Sequence, residues 1–223
     1  AGITWQPRII IGDYARGAVA ARDSSVYVYV NYSPSPGLLR GGLVASHDYG
    51  NSWSMVNGIL PTSISSAIVA TPTALHLVRA RGVIGYQEVF YHRSTDLGFT
   101  WSVAETLSTN DGWNSQNVRL AGDDNSNLYS VWNDQKYGGD FSGTILMRRS
   151  TDGGLTWLPE QIMSQLATAG FCDVAVKGST VAVAWDTEVS IDSGMVHVRT
   201  SFNGGGDLCA ANLVSDLSRA TGN

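Results

Sequence analysis

The residues of this sequence that could do chemistry are a few acids, arginines and aromatics at the expected ends of strands. Asp134 and Asp186 each follow a tryptophan, in Trp132-Asn133-Asp134 and Trp185-Asp186, with Tyr137 and Glu188 close by. Glycosidic hydrolysis needs a proton donor and either a nucleophile or an activated water, roles that carboxylates usually fill. Arg16, Arg79 and Arg81 suit a complementary task. A guanidinium pairs with both oxygens of a carboxylate, so arginines gathered on one face would hold an acidic ligand. Trp113 sits in the polar run Asn110-Asp111-Gly112-Trp113-Asn114. A tryptophan there suits stacking on a sugar ring, or folds back as a loop anchor. Tyr14, Tyr86, Glu88, Asp13 and Asp111 are further groups of the right type that no motif singles out. The plainer readings stand beside these: a Trp-Asp pair that closes a strand by a hydrogen bond, and arginines as solvated charge.

Other groups read as structural. Arg119 falls in the middle of Asn117-Val118-Arg119-Leu120. A charge inside a strand needs a partner or water, and a salt bridge is expected. Asp123-Asp124-Asn125-Ser126-Asn127 has the alternation of a calcium loop but lacks its glycine, and it falls where a turn is expected. The two cysteines, Cys172 and Cys209, are expected on the first and fourth strands of one sheet. Those strands are about 14 Å apart, too far for a disulfide, so both read as free packing residues. No cofactor or metal is implied. Asn31-Tyr32-Ser33 is a glycosylation sequon, meaningful in a eukaryotic secreted protein.

A repeated octet organises the elements that must position these groups. It reads Ser46-His47-Asp48-Tyr49-Gly50-Asn51-Ser52-Trp53, then Ser94-Thr95-Asp96-Leu97-Gly98-Phe99-Thr100-Trp101, then Ser150-Thr151-Asp152-Gly153-Gly154-Leu155-Thr156-Trp157. A worn copy spans Ser201-Phe202-Asn203-Gly204-Gly205-Gly206-Asp207-Leu208, and Gly2-Ile3-Thr4-Trp5 is the tail of another. Glycine to glycine the copies are 48, 48, 56 and 51 residues apart. The aspartate can accept from backbone N–H groups ahead of it, the glycine takes positive φ, and the tryptophan offers a ring to the space between sheets. Short strands at that period predict an all-β propeller with four-stranded antiparallel blades. Four units are expected at about 12–60, 61–107, 108–163 and 164–215, after an orphan outer strand within residues 1–11. Val26-Tyr27-Val28-Tyr29-Val30 and Val181-Ala182-Val183-Ala184-Trp185 read as strands buried on both faces.

The octet resembles the Asp-box, or bacterial neuraminidase repeat, of sialidases and other extracellular propellers. The resemblance implies that Asp48, Gly50, Trp53, Asp96, Gly98, Trp101, Asp152, Gly154 and Trp157 build turns between third and fourth strands, away from the active site. The site would then lie on the opposite face, among the loops leaving each second strand and the crossings between blades. An extracellular or cell-surface location and a glycan ligand follow from the same resemblance. Sialidases hold the sugar carboxylate with three arginines and use a tyrosine activated by a glutamate, with an aspartate as acid. Arg16-Gly17-Ala18-Val19 lies where that family has Arg-Ile-Pro, but Ile-Pro is absent. Two readings of function therefore stand: glycan recognition with hydrolysis of a terminal sialic acid, and a non-catalytic scaffold that binds protein.

The bulk figures narrow the partners. The 223 residues carry a net charge of −5, against the basic face that nucleic acid requires. No apolar run is long enough to span a membrane. Four units and an orphan strand describe an arc rather than a ring. Three readings fit: a piece of a longer protein, an unusually small ring, or an arc completed by another subunit; the unpaired end strand favours an edge covered by further chain or by another copy.

Overall fold

The computed structural model describes residues 15–35, 38–83, 86–137, 143–164, 169–190 and 193–214. These form four antiparallel sheets of four strands, each a meander in chain order. The first blade is β1 (Ala15–Arg22), β2 (Ser25–Ser35), β3 (Leu38–Ser46) and β4 (Ser54–Leu60). The second is β5 (Ser65–Ala70), β6 (Leu75–Arg81), β7 (Glu88–Ser94) and β8 (Glu105–Thr106). The third is β9 (Ser115–Gly122), β10 (Leu128–Asp134), β11 (Thr144–Ser150) and β12 (Gln161–Ile162). The fourth is β13 (Ala169–Lys177), β14 (Thr180–Ser190), β15 (Ser193–Ser201) and β16 (Asn212–Leu213). A 3-10 turn at Gln135–Tyr137 is the one helical element among the described residues. The orphan strand expected within residues 1–11 lies outside them.

The inner strands stack in series, β1 on β5, β5 on β9 and β9 on β13. An apolar core fills each of the three spaces between blades. Tyr27, Tyr29 and Leu43 meet Ile68, Leu75 and Leu77 in the first. Val78, Val89 and Tyr91 meet Val118, Leu128 and Trp132 in the second. Val131, Ile145 and Met147 meet Val174, Val183 and Trp185 in the third. β10 is buried along its whole length because both of its faces are covered. The terminal blades each leave a face open. β13 alternates, with Phe171, Asp173, Ala175 and Lys177 exposed and Cys172 and Val174 buried. At the other end Val19 is 66% exposed. The described residues thus form an arc of a propeller.

The octets are the turns between third and fourth strands. In the turn after β7, Ser94 Oγ donates to Asp96 Oδ1 at 2.7 Å and accepts from Gly98 N at 2.8 Å. Asp96 in turn accepts from Thr100 N at 2.9 Å and Thr100 Oγ1 at 2.6 Å. Leu97 and Gly98 both take positive φ, 60° and 93°. A Cβ on Gly98 would also meet Leu43 Cδ2 of the preceding blade at 2.1 Å, so only glycine fits. The octet tryptophan faces that same preceding blade: Trp101 joins the first core and Trp157 the second, and Leu208 of the worn copy joins the third. Arg93 and Arg149, each just ahead of an octet, reach the next blade's turn at Gly153 O (2.9 Å) and Gly204 O (2.6 Å).

Some expectations are corrected. The outer strands pair over only two residues in the last three blades. The chain after Trp101 meets β7 through Ser102 N to Arg93 O, leaves it over Val103 and Ala104, and returns through β8 and Leu107 N to Val89 O. The Val26–Val30 and Val181–Trp185 runs are buried fully on one face and partly on the other, because their blades are terminal. Arg119 makes no ion pair among the described residues, and its guanidinium donates to Val118 O at 3.0 Å. Cys172 is buried as expected, but Cys209 is exposed and does not pack. Asp123 caps its own turn through Asn125 N and Asn127 N. Its neighbour Asp124 pairs with Arg22 of the first blade at 2.8 Å. Asn31 is buried, with Nδ2 on Ser63 O and Oδ1 on Ser63 N, so the sequon amide is already engaged.

Candidate functional site

β2, β6, β10 and β14 all end on the side opposite the octet turns, where β1, β5, β9 and β13 begin. That side carries the loops expected to hold function. The sequence candidates do not all converge there. Trp132 and Trp185 occupy equivalent positions, each packed on the preceding blade. Side chains alternate along a strand. Asp134, two residues beyond its tryptophan, therefore shares that face, while Asp186, one residue beyond, points the other way. The two acids are not at matching heights on one wall. Asp186 accepts Phe171 N at 2.6 Å on the open side of the fourth blade. Arg16 lies in β1 and Glu188 in β14, and the side chains of both fall outside the described part of the structure.

The arginines separate as well. Arg79 is 2% exposed, and its Nε and Nη2 lie 3.0 and 2.9 Å from His92 Nε2. His92 Nδ1 lies 3.2 Å from Ser102 O, which makes it the donor and leaves Nε2 to accept from Arg79. Arg79 Nη1 donates to Thr62 O at 3.3 Å, and no ion pair among the described residues involves this guanidinium. Burial lowers its pKa to about 10, partly opposed by Tyr29. Arg81 is exposed and lines a cleft of about 610 Å³ between the first and second blades, with Asn31, Ser63 and Val83.

Convergence occurs one blade further on, at Asn114. Its side chain donates to Gln135 Oε1 at 2.8 Å and accepts from Gln87 N at 3.2 Å. Its carbonyl accepts Gln135 N at 2.9 Å, and Ser115 N donates to Gln87 O at 2.7 Å. Three chain segments from the second and third blades are thereby tied together. Each brings an exposed aromatic: Tyr86 (67% exposed), Trp113 (43%) and Tyr137 (43%). Each also brings an acid: Glu88, Asp111 and Asp134.

The three acids differ in setting. Glu88 is buried and accepts a short hydrogen bond from Ser108 Oγ, which itself accepts Val89 N at 2.9 Å. Burial raises the Glu88 pKa above the usual carboxyl range, and the charges of Asp111 and Asp134 raise it further. The Ser108 hydrogen bond and Lys136 oppose this. Asp134 is fully buried and accepts from Ser115 Oγ (2.8 Å), Trp132 Nε1 (3.2 Å) and Lys136 N (3.0 Å). Those bonds brace the end of β10, a holding role. Asp111 is exposed and accepts Trp113 N at 3.1 Å. Lys136 pairs with Glu160 at 2.8 Å and lies 4.9 Å from the centre of the Tyr137 ring.

Among the described residues no group of three or more His, Cys, Asp or Glu is placed to hold a metal. Sequence reading singled out Trp113, Asp134 and Tyr137 but not Asn114, Gln87 or Ser108, which tie the segments together. These are ordinary loop polar residues with no local signature.

No protein-family model matches the sequence, and no curated protein matches it. Solved structures do resemble the fold. The α-L-arabinofuranosidase Arb93A from Fusarium graminearum, in complex with an iminosugar inhibitor, aligns with a TM-score of 0.66 at 13% identity. The alignment covers 92% of this chain and 68% of that one. The Penicillium chrysogenum α-L-arabinanase complexed with arabinobiose aligns at 0.62 with 15% identity, over 90% of this chain and 68% of the other. The phage phi92 endosialidase aligns at 0.57 with 16% identity, over 78% of this chain and 31% of that one. The likeness is one of fold, a β-propeller, and the chain spans about two thirds of the first two proteins.

Proposed function

We propose that this chain is an extracellular or cell-surface glycan-recognising propeller that cleaves glycosidic bonds at the seam around Asn114. The observation that carries the reading is the seam itself: three exposed aromatic rings beside three carboxylates, on the loop face. Aromatic faces stack on the apolar faces of sugars. Glycosidic cleavage needs a carboxyl group that keeps its proton near neutral pH. Glu88 has that character, since its burial and neighbouring charges favour the protonated form. Asp111, exposed beside it, is the candidate base or nucleophile. The fold likeness to an arabinofuranosidase, an arabinanase and an endosialidase supports the same reading by analogy.

The finer reading, hydrolysis of a terminal sialic acid, draws on the Asp-box resemblance and the endosialidase likeness. It needs guanidinium groups around the sugar carboxylate. Arg81 is exposed, but in the separate cleft between the first and second blades, and the Arg79 guanidinium is engaged with His92 and Thr62. The exposed Val19 and Phe171 on the open faces of the terminal blades favour a second reading, a scaffold that docks protein through those blades.

The test is fluorophore release from a panel of arabinofuranosides and sialosides by the wild type and a Glu88→Gln variant of equal thermal stability. Turnover that is lost in the variant supports a hydrolase with Glu88 as proton donor. Absence of both turnover and glycan binding at high protein concentration would overturn the proposal in favour of the scaffold.

A further inference from the structure

The seam at Asn114 is rich in acceptors and poor in positive charge. Glu88, Asp111 and Asp134 bring three carboxyl groups, of which Glu88 favours its protonated form, and the one ammonium among the residues of those segments, Lys136, already sits 2.8 Å from Glu160. Gln87 Oε1 is buried there with no hydrogen-bond partner among the described residues. A buried acceptor without a donor is costly, so it calls for a ligand hydroxyl or a water. The exposed guanidinium of Arg81 lies in the separate cleft between the first and second blades. Like charges repel, while hydroxyl donors satisfy carboxylate and amide acceptors.

We infer that the Asn114 seam takes a neutral, hydroxyl-rich glycan, stacked on Tyr86, Trp113 and Tyr137, and rejects acidic sugars by the charge of its exposed carboxylate, Asp111. This rests on the glycan-recognition reading above and fixes the class of sugar. Selection works chiefly through Asp111, whose carboxylate is exposed where a ligand carboxylate would arrive. Salt weakens the discrimination, because exposed charges are screened.

The experiment titrates the chain with a neutral arabino-oligosaccharide and with a sialylated trisaccharide, by calorimetry and tryptophan fluorescence, at low and at high salt. The neutral chain is expected to bind at least about tenfold more tightly at low salt, with the gap narrowing at high salt. Asp111→Asn keeps the acceptor for Trp113 N–H while removing the charge, and is expected to narrow the gap at low salt with an unchanged melt. Trp113→Ala is expected to weaken the neutral ligand. Tighter or equal binding of the sialylated ligand would overturn the inference while leaving glycan recognition standing. A gap that ignores both salt and Asp111→Asn would also overturn it. Binding of neither ligand would overturn the inference together with the reading beneath it.

Discussion

Asn203 donates its side-chain amide to Asp207 Oδ2 across 2.8 Å, reversing the polarity of the other three octet turns. In those turns the first residue of the pair is an aspartate and the second a hydroxyl donor, as in Asp152 accepting from Thr156 Oγ1 at 2.5 Å. The backbone bond is conserved in kind: Asp207 N donates to Asn203 Oδ1 at 2.8 Å, as Thr156 N does to Asp152 Oδ1 at 2.9 Å. The worn copy is therefore the same turn with donor and acceptor exchanged.

This exchange predicts a rescue. Thr156→Asp alone places two carboxylates opposite one another and is expected to lower the melting temperature. Adding Asp152→Asn recreates the Asn203–Asp207 arrangement and should recover most of the loss. Calorimetric melts of the wild type, both single variants and the double variant give the coupling directly. Additive losses would show that the turn depends on its aspartate for some other reason.

The octet acids also set an acid limit. Hydrogen bonds from the Ser52 and Thr100 side chains, then from their N–H groups, hold Asp48 and Asp96 to about 2. At Asp152 burial is the largest single effect and pushes upward, but hydrogen bonds from the Thr156 hydroxyl and N–H, Ser150 and Leu155 together hold it to about 2. These folded-state values lie below the ordinary 3.8, so the stabilisation is present above that pH and is lost as pH falls toward 2. Equilibrium unfolding by urea should show its steepest loss of stability below pH 4, and the slope should be shallower in Asp152→Asn.

A second pH dependence sits higher. His76 is fully buried, its Nε2 2.9 Å from Thr71 Oγ1 and its Nδ1 2.8 Å from Tyr91 Oη. Burial, aided by Arg93, lowers its pKa to about 4 from 6.5. The folded state thus binds the proton less well than the unfolded chain, so stability is full above about pH 6.5 and erodes toward pH 4. The loss is on the order of 3 kcal/mol across that window. A His76→Gln variant, less stable throughout, should lack this component in a urea series between pH 7 and 4. A variant curve parallel to the wild type would assign the titration elsewhere.

Arg79 and Arg81, two residues apart on β6, should behave oppositely. Arg79→Ala leaves the buried Nε2 of His92 and the Thr62 carbonyl without their donor, and is expected to cost about 2–4 kcal/mol. Arg81→Ala should change stability by no more than about 0.5 kcal/mol. Chemical denaturation of both variants is the check. Loss of ligand binding in Arg79→Ala with an unchanged melt would return that residue to the binding site.

The tryptophans offer the same contrast. Trp132, fully buried in the second core, should cost about 3–5 kcal/mol on truncation to alanine. Trp113→Ala should leave stability within about 0.5 kcal/mol and act on ligand binding instead. A large melt shift in Trp113→Ala would make that ring a loop anchor.

The sequence by itself determined the architecture. Each octet carries its turn locally: the serine, aspartate and hydroxyl bond within eight residues, and the glycine takes the positive φ that the turn needs, so repetition every 48 to 56 residues declares the blades. Strand alternation did the same for the inner strands. What lies between blades was decided only by tertiary structure, because it depends on residues far apart in the chain. Arg79 is engaged by His92 of its own blade and by Thr62 on the crossing from the first, a combination that no local pattern announces. Asp134 and Asp186 are an exception: their spacing of two against one from the tryptophan, with strand alternation, already sends them to opposite faces in the sequence. Asn114 has no signature at all. It matters because Gln87 and Gln135, 27 and 21 residues away, meet there and bring Tyr86, Trp113 and Tyr137 to one seam.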